Sequence, residues 1–107
     1  MSGEGGQQQQ QEWSEWLDFD KEHVDSVPEA AGVYLMHASM KVMHIGGCKN
    51  IKKSLQGLLA DPCASKAKRF HYMLTESYAP EAERLLQDYR EKHQGKLPFC
   101  MEERWEK

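Results

Sequence analysis

Gly32-Val33-Tyr34-Leu35-Met36-His37-Ala38-Ser39-Met40-Lys41-Val42-Met43-His44-Ile45-Gly46-Gly47 is the stretch that decides the fold. Two short runs rich in Val, Ile, Leu and Met flank Ala38-Ser39-Met40. That composition predicts a strand over 32–37, a turn, and a second strand over 41–45, with at least one face buried. Gly46-Gly47 is expected to break the second strand and let the backbone turn sharply. Upstream, Pro28 and Gly32 punctuate the approach, and the domain proper is expected to occupy 24–107.

Downstream, Asn50 suits the N-cap of a helix running to about Ala60, with Ile51, Leu55, Leu58 and Leu59 on one face. Asp61-Pro62 ends it. Phe70, Tyr72 and Leu74 then alternate with His71, Met73 and Thr75, the period of a half-buried strand. Pro80 fits the first position of a second helix, with Glu81 and Glu83 in its first turn. Ala82, Leu85, Leu86 and Tyr89 form its stripe, which His93 continues, and Gly95 closes it. The remainder, 96–107, reads as an irregular return. The order is that of a small α+β domain with helices against a three-stranded antiparallel sheet.

Outside this frame, residues 1–11 hold three glycines and five consecutive glutamines and read as a disordered Gly/Gln-rich tail. Gly5-Gly6-Gln7 lies inside this biased stretch and reads as composition. Residues 12–23 read as a short amphipathic segment, with Trp13, Trp16 and Leu17 at i, i+3, i+4. The two indoles either cover an open edge of the domain's own core or dock a protein partner.

The whole chain has 107 residues, 29% of them charged and 39% apolar, with a net charge of −3. This suits one soluble domain rather than two cores or a disordered chain. No apolar run approaches the roughly 18 residues a spanning helix needs, and 1–11 holds no secretory h-region. Three cysteines, none in a C-x-x-C pair, argue against a disulfide framework and for an intracellular, reducing compartment, nucleus or cytoplasm. Zinc ligation by cysteines with His44 or His71 has no supporting spacing. Cys48, ahead of a helix and beside Lys49, reads as a passive thiol despite its position. Lys49, Lys52 and Lys53 cluster, followed by Lys66, Lys68 and Arg69. Such a patch either tracks a phosphate backbone or is a solvated face.

Gly32-Val33-Tyr34, nine intervening residues, then His44-Ile45-Gly46 resembles the paired motif of the GIY-YIG nuclease family. Cys48 to Leu55 resembles the family's segment after the second motif. Pro80-Glu81-Ala82-Glu83-Arg84-Leu85-Leu86 resembles its glutamate-bearing helix, and Gly95-Lys96-Leu97-Pro98 the stretch before its late asparagine. The resemblance spans about Val24 to Met101, and the strands and helices read independently agree with the family's topology.

The resemblance implies metal-assisted hydrolysis of DNA phosphodiesters, with Mg2+ or Mn2+ as the ion. On it, Tyr34 takes the place of the tyrosine that acts as or with the general base. His44 replaces the second tyrosine and is a competent base near neutral pH. Glu83, with Leu86 three residues on, best fits the metal-holding glutamate, with Glu81 its rival. The family's lysine falls on Gly47, its arginine on Ser54, ten residues past His44, and its asparagine on Met101. Lys49, Lys52 and Lys53 are the candidates for contacting nucleic acid, though a lysine does not copy a guanidinium's bidentate geometry. Each candidate has a packing alternative: Tyr34 and His44 as core strand residues, Glu81 and Glu83 as first-turn acids, His93 as a stripe residue.

Three classes follow. The first is a nucleic-acid-binding domain with an incomplete site and weak or no catalysis. The second is an active divalent-metal endonuclease. The third is a protein-interaction domain using Trp13 and Trp16. Salt dependence separates the first from the third, and loss of cleavage with Glu83→Ala or Tyr34→Phe marks the second.

Overall fold

The hairpin forms where the two apolar runs place it. β2 (Gly32–Ala38) pairs antiparallel with β3 (Lys41–Cys48), and β4 (Arg69–Leu74) adds antiparallel on the other side of β2. The structure is a computed structural model that describes residues 12–39 and 41–101. The 1–11 tail, Met40 of the expected turn and Trp105 lie outside the described residues. Among the described residues the frame is completed by α1 (Lys21–Asp25), α2 (Ile51–Leu58) and α3 (Tyr78–Lys92), with a 3-10 turn at Ala64–Lys66, and residues 99–101 of the expected irregular return are helical.

Among the described residues, the expected three-stranded sheet has four strands, in the order Leu17–Asp18, β4, β2, β3. The addition is β1 (Leu17–Asp18), which pairs Leu17 with Phe70 and Asp18 with Arg69. Two residues are too few for an alternation to register in the sequence. The Trp13-Trp16-Leu17 spacing therefore marks no helical turn. Its residues run beside β4, where Ser14 donates its N–H to the Tyr72 carbonyl at 2.8 Å and its Oγ accepts from the Tyr72 N–H at 3.1 Å. This segment covers backbone groups that an open sheet edge would leave unpaired.

Gly46 and Gly47 do not break β3, which continues to Cys48. Both glycines sit in the ladder, opposite Tyr34 and Val33. Their lack of a side chain serves close approach instead of a turn. A Cβ on Gly47 would stand 2.6 Å from the Tyr78 carbonyl oxygen and 3.1 Å from the Ala82 Cβ, so α3 lies directly against it. The register slips once: Met36 faces His44 and His37 faces Val42, leaving Met43 as an extra residue. This bulge lets Met43 join the core while His44 still lies against Tyr34.

The pleat sorts the core into two faces. One carries Tyr34, Met36 and Phe70 and is covered by Phe19, by Val24 of α1 and by Ile51 and Leu55 of α2. The other carries the buried Val33, Ile45 and Met73, on the side where α3 packs at Gly47. Asn50 caps α2 as expected, its side chain accepting from the Lys53 N–H at 3.1 Å. The α3 cap is Ser77, so Pro80 is the third helical residue and not the first. Both positions lie in the first turn, where an N–H has no helical partner to lose. The helix stops at Lys92, after which Gln94 and Gly95 take left-handed φ values of 60° and 84°. The Gly95 N–H donates to the Arg90 carbonyl at 2.7 Å, closing the end as expected. The stripe of Ala82, Leu85, Leu86 and Tyr89 is only half-buried, and His93 does not extend it. His93 is exposed, stacked on Tyr89 at 3.8 Å.

The cysteine reading needs correction. Cys63 and Cys100 form a disulfide, with Cα atoms 5.7 Å apart across a sequence separation of 37, and Cys48 is the free thiol. An odd count does not stop two of three from pairing, and only the fold brings this pair together. Among the described residues, no helix is long and apolar enough to cross a membrane.

Candidate functional site

Tyr34 lies mid-strand on β2, 6% exposed, between Gly46 of β3 and Tyr72 of β4. Its ring lies over Gly46, where a Cβ would come within 2.6 Å of the phenol oxygen. His44 lies two residues before Gly46 on the same face. Its ring is nearly parallel to that of Tyr34, with centroids 5.7 Å apart and planes 10° apart. The structure thus brings together the two residues that the paired motif singles out. The glycine is what leaves room for this arrangement. Gly46→Ala is expected to cost about 1–3 kcal/mol, because the ring is held by the core and cannot swing away freely. Urea unfolding reads the loss, and the aromatic NMR signals of Tyr34 and His44 should shift together.

The lysines sit at the start of α2. Lys49 precedes the Asn50 cap and is exposed, Lys53 is exposed, and Lys52 is half-buried. The first turn of α2 holds no acid. Positive side chains therefore add to the positive end of the helix, where the Glu29 carboxylate already accepts from the Asn50 amide at 3.3 Å and Asp25 feels the Lys52 charge. Ser54 is half-buried beside the fully buried Leu55, at the border of the apolar face.

Glu83 lies elsewhere. It lines a shallow groove on α3 with Leu86, Gln87, Arg90 and Leu97. Because α3 packs against the face of Val33 and Gly47, Glu83 belongs to the layer across the sheet from Tyr34 and His44. Glu81, its rival, is 21% exposed and ion-paired with Arg84 at 2.6 Å. Among the described residues, no three His, Cys, Asp or Glu side chains cluster as a metal site. Glu91 lines the same groove as Glu83, but Arg90 lies between these two carboxylates in sequence and its guanidinium shares the groove, and a cation there opposes a divalent ion.

One aromatic group escaped the sequence reading. His71, on the face opposite Tyr34, is stacked between Trp13 at 4.2 Å and Trp16 at 3.8 Å, and Trp16 also meets His37 at 4.3 Å. The indoles thus lie against the chain's own sheet. The period-two pattern placed His71 on the outward face, but nothing in it signalled that Trp13 and Trp16 would reach there. Burial pushes the His71 imidazole down to about 4, opposed by a hydrogen bond to the Ser14 backbone and aided by a smaller repulsion from His37. The unfolded chain, with its histidine near 6.5, takes up the proton first. Stability is therefore full above about pH 6.5 and falls as pH drops towards about 4. The expected loss is about 2 kcal/mol after allowing for partial exposure. His71→Phe should flatten this pH dependence in urea titrations while keeping the stack.

The small α+β fold, an antiparallel sheet flanked by helices, resembles that of a GIY-YIG domain. The chain is similar to the GIY-YIG N-terminal endonuclease domain of UvrC from Thermotoga maritima, solved bound to magnesium. The TM-score is 0.53 and the identity 20%, over 76% of this chain and 98% of that one. The chain belongs to the family described as Domain of unknown function (DUF7508), which matches residues 11–92. No curated protein matches it.

Proposed function

We propose that this chain is a nucleic-acid-binding domain that retains the GIY-YIG nuclease fold and cleaves phosphodiesters weakly or not at all. The observation that carries the reading is the Tyr34–His44 pair, parallel at 5.7 Å over Gly46, with the Lys49–Lys53 cluster on the helix that follows β3. The lysines meet backbone phosphates. Tyr34 and His44 hold and polarise a water, and His44 accepts its proton. Weak catalysis is expected because Ser54 stands where the resemblance places an arginine. A charge-stabilising arginine contributes about 10³–10⁵ in rate in other phosphoryl-transfer systems. Lys52 and Lys53 supply charge from neighbouring positions on α2, without a guanidinium's two-pronged geometry. An intracellular location rests on nucleic acid, DNA or other, being the partner.

The paired rings also favour a second reading, an active endonuclease. The Thermotoga domain was solved with magnesium, so Mg2+ or Mn2+ is the ion to supply and Glu83 the carboxylate to replace. A bound ion would neutralise developing charge on the phosphate. The test uses supercoiled plasmid and branched DNA at low salt with either ion, with Glu83→Ala and Tyr34→Phe run alongside. The expected result is a band shift without cleavage. Nicking by the native chain that both substitutions abolish would replace this reading with the second.

A further inference from the structure

We propose that the outer sheet face around Trp16 is a second nucleic-acid contact, on which an unpaired base stacks against the indole while Arg69 meets an adjacent phosphate. This contact shares the partner of the reading above but none of its residues. His71 and His37, the rings that Trp16 touches, alternate along their strands with Tyr72 and Met36, so this face lies across the sheet from Tyr34 and His44.

Trp16 is 40% exposed, one of two large apolar side chains left so open among the described residues. Burial does not explain its position, but stacking does. Trp13, His71 and Trp16 form a continuous pile with spacings of 4.2 and 3.8 Å and tilts of 23° and 9°. The pile holds the indole in a fixed orientation while leaving much of it to solvent. A rigid aromatic platform of this kind takes a nucleobase at little entropic cost, and every base offers a π-face.

The charge beside it fits the same ligand. Arg69 occupies the β4 position across from His37 and is 58% exposed. Lys68 precedes it and is also exposed. Asp18 holds the Arg69 Nε at 3.5 Å, yet that carboxylate is itself 63% exposed. So open an ion pair is weak, and a phosphate can replace it at small cost. Glu12 and Glu15 are further acids on the same segment, and they limit the site to few phosphates. A flat ring flanked by a guanidinium matches a base and its phosphate, whereas a protein anchor would need a recess. An unpaired base is required, because bases within a duplex have no free ring face to offer.

The test is fluorescence anisotropy with labelled oligo(dT) and a labelled blunt duplex. The proteins are the native chain, Trp16→Ala, Trp16→Phe, Arg69→Gln and the triple variant Lys49→Ala, Lys52→Ala, Lys53→Ala. Trp16→Ala is expected to weaken oligo(dT) binding about ten-fold and duplex binding little, with Trp16→Phe restoring most of the loss. Arg69→Gln should weaken oligo(dT) binding and reduce its salt slope by about one phosphate. Should Trp16→Ala fail to fold by circular dichroism, quenching of tryptophan emission by oligo(dT), present in the native chain and reduced in Trp16→Phe, decides the matter. Unchanged oligo(dT) affinity in folded Trp16→Ala overturns the inference. So does a concentration-dependent self-association of the native chain that this substitution removes, since the face would then seat protein. Duplex binding lost in the triple variant, together with oligo(dT) binding that neither Trp16→Ala nor Arg69→Gln weakens, would leave the proposed function standing and this inference refuted.

Discussion

Phe70→Ala is expected to lower the stability of the domain by about 3–5 kcal/mol, the usual cost of emptying a buried aromatic site. Phe70 has no exposed surface and lies where three strands meet, across from Leu17 on one side and Met36 on the other. Its ring meets Phe19 edge-on at 5.8 Å and lies beside Tyr72 at 6.4 Å. Removing it therefore leaves a cavity beneath the same face that holds Tyr34. A single domain has roughly 5–15 kcal/mol in total, so the variant should be close to unfolding. Urea unfolding with matched slopes checks this, and a loss below about 1 kcal/mol would contradict the core described here. Phe70→Leu should recover much of the loss, which separates volume from any special role of the ring.

Reducing the Cys63–Cys100 bond is expected to cost about 3–4 kcal/mol, from the chain entropy returned to the unfolded state by opening a loop of this length. The bond joins the turn after α2 to the segment after α3, and Cys100 is fully buried in the core cluster that contains Tyr34. Its loss should loosen the C-terminal segment before the sheet. The comparison is thermal unfolding with and without reductant, with the Cys63→Ser, Cys100→Ser double variant as control. The double variant should match the reduced native chain and ignore reductant. An unchanged midpoint on reduction would show that the two cysteines are not paired in solution.

The parts of the fold that were legible are those whose burial repeats along the chain. The β2–β3 hairpin, the Asn50 cap of α2 and the β4 alternation each present several residues on one face, and each lies where the pattern predicts. The misses have local causes. β1 is two residues long and gains its place from Phe70 and Arg69, more than fifty residues away in the chain, so no local pattern marks it. Gly46-Gly47 was read as a turn because glycine permits one, yet both positions are glycine because the Tyr34 ring and α3 leave no room for a Cβ. The disulfide depends on a tertiary approach that spacing does not encode. At the candidate site, the family resemblance singled out Tyr34 and His44, whose rings lie side by side in the structure. It did not anticipate that Glu83 would sit on the layer across the sheet, since position on a helix says nothing about which sheet face the helix covers.

The most direct test of the central claim is the affinity of the native chain for a labelled duplex across a salt series, measured by fluorescence anisotropy with the triple Lys49, Lys52, Lys53 alanine variant alongside. The account predicts binding at low salt that weakens linearly in log affinity against log salt, and a slope shallower by about two to three phosphates in the variant. Absence of binding at the lowest salt, or an affinity indifferent both to salt and to the three lysines, would contradict it.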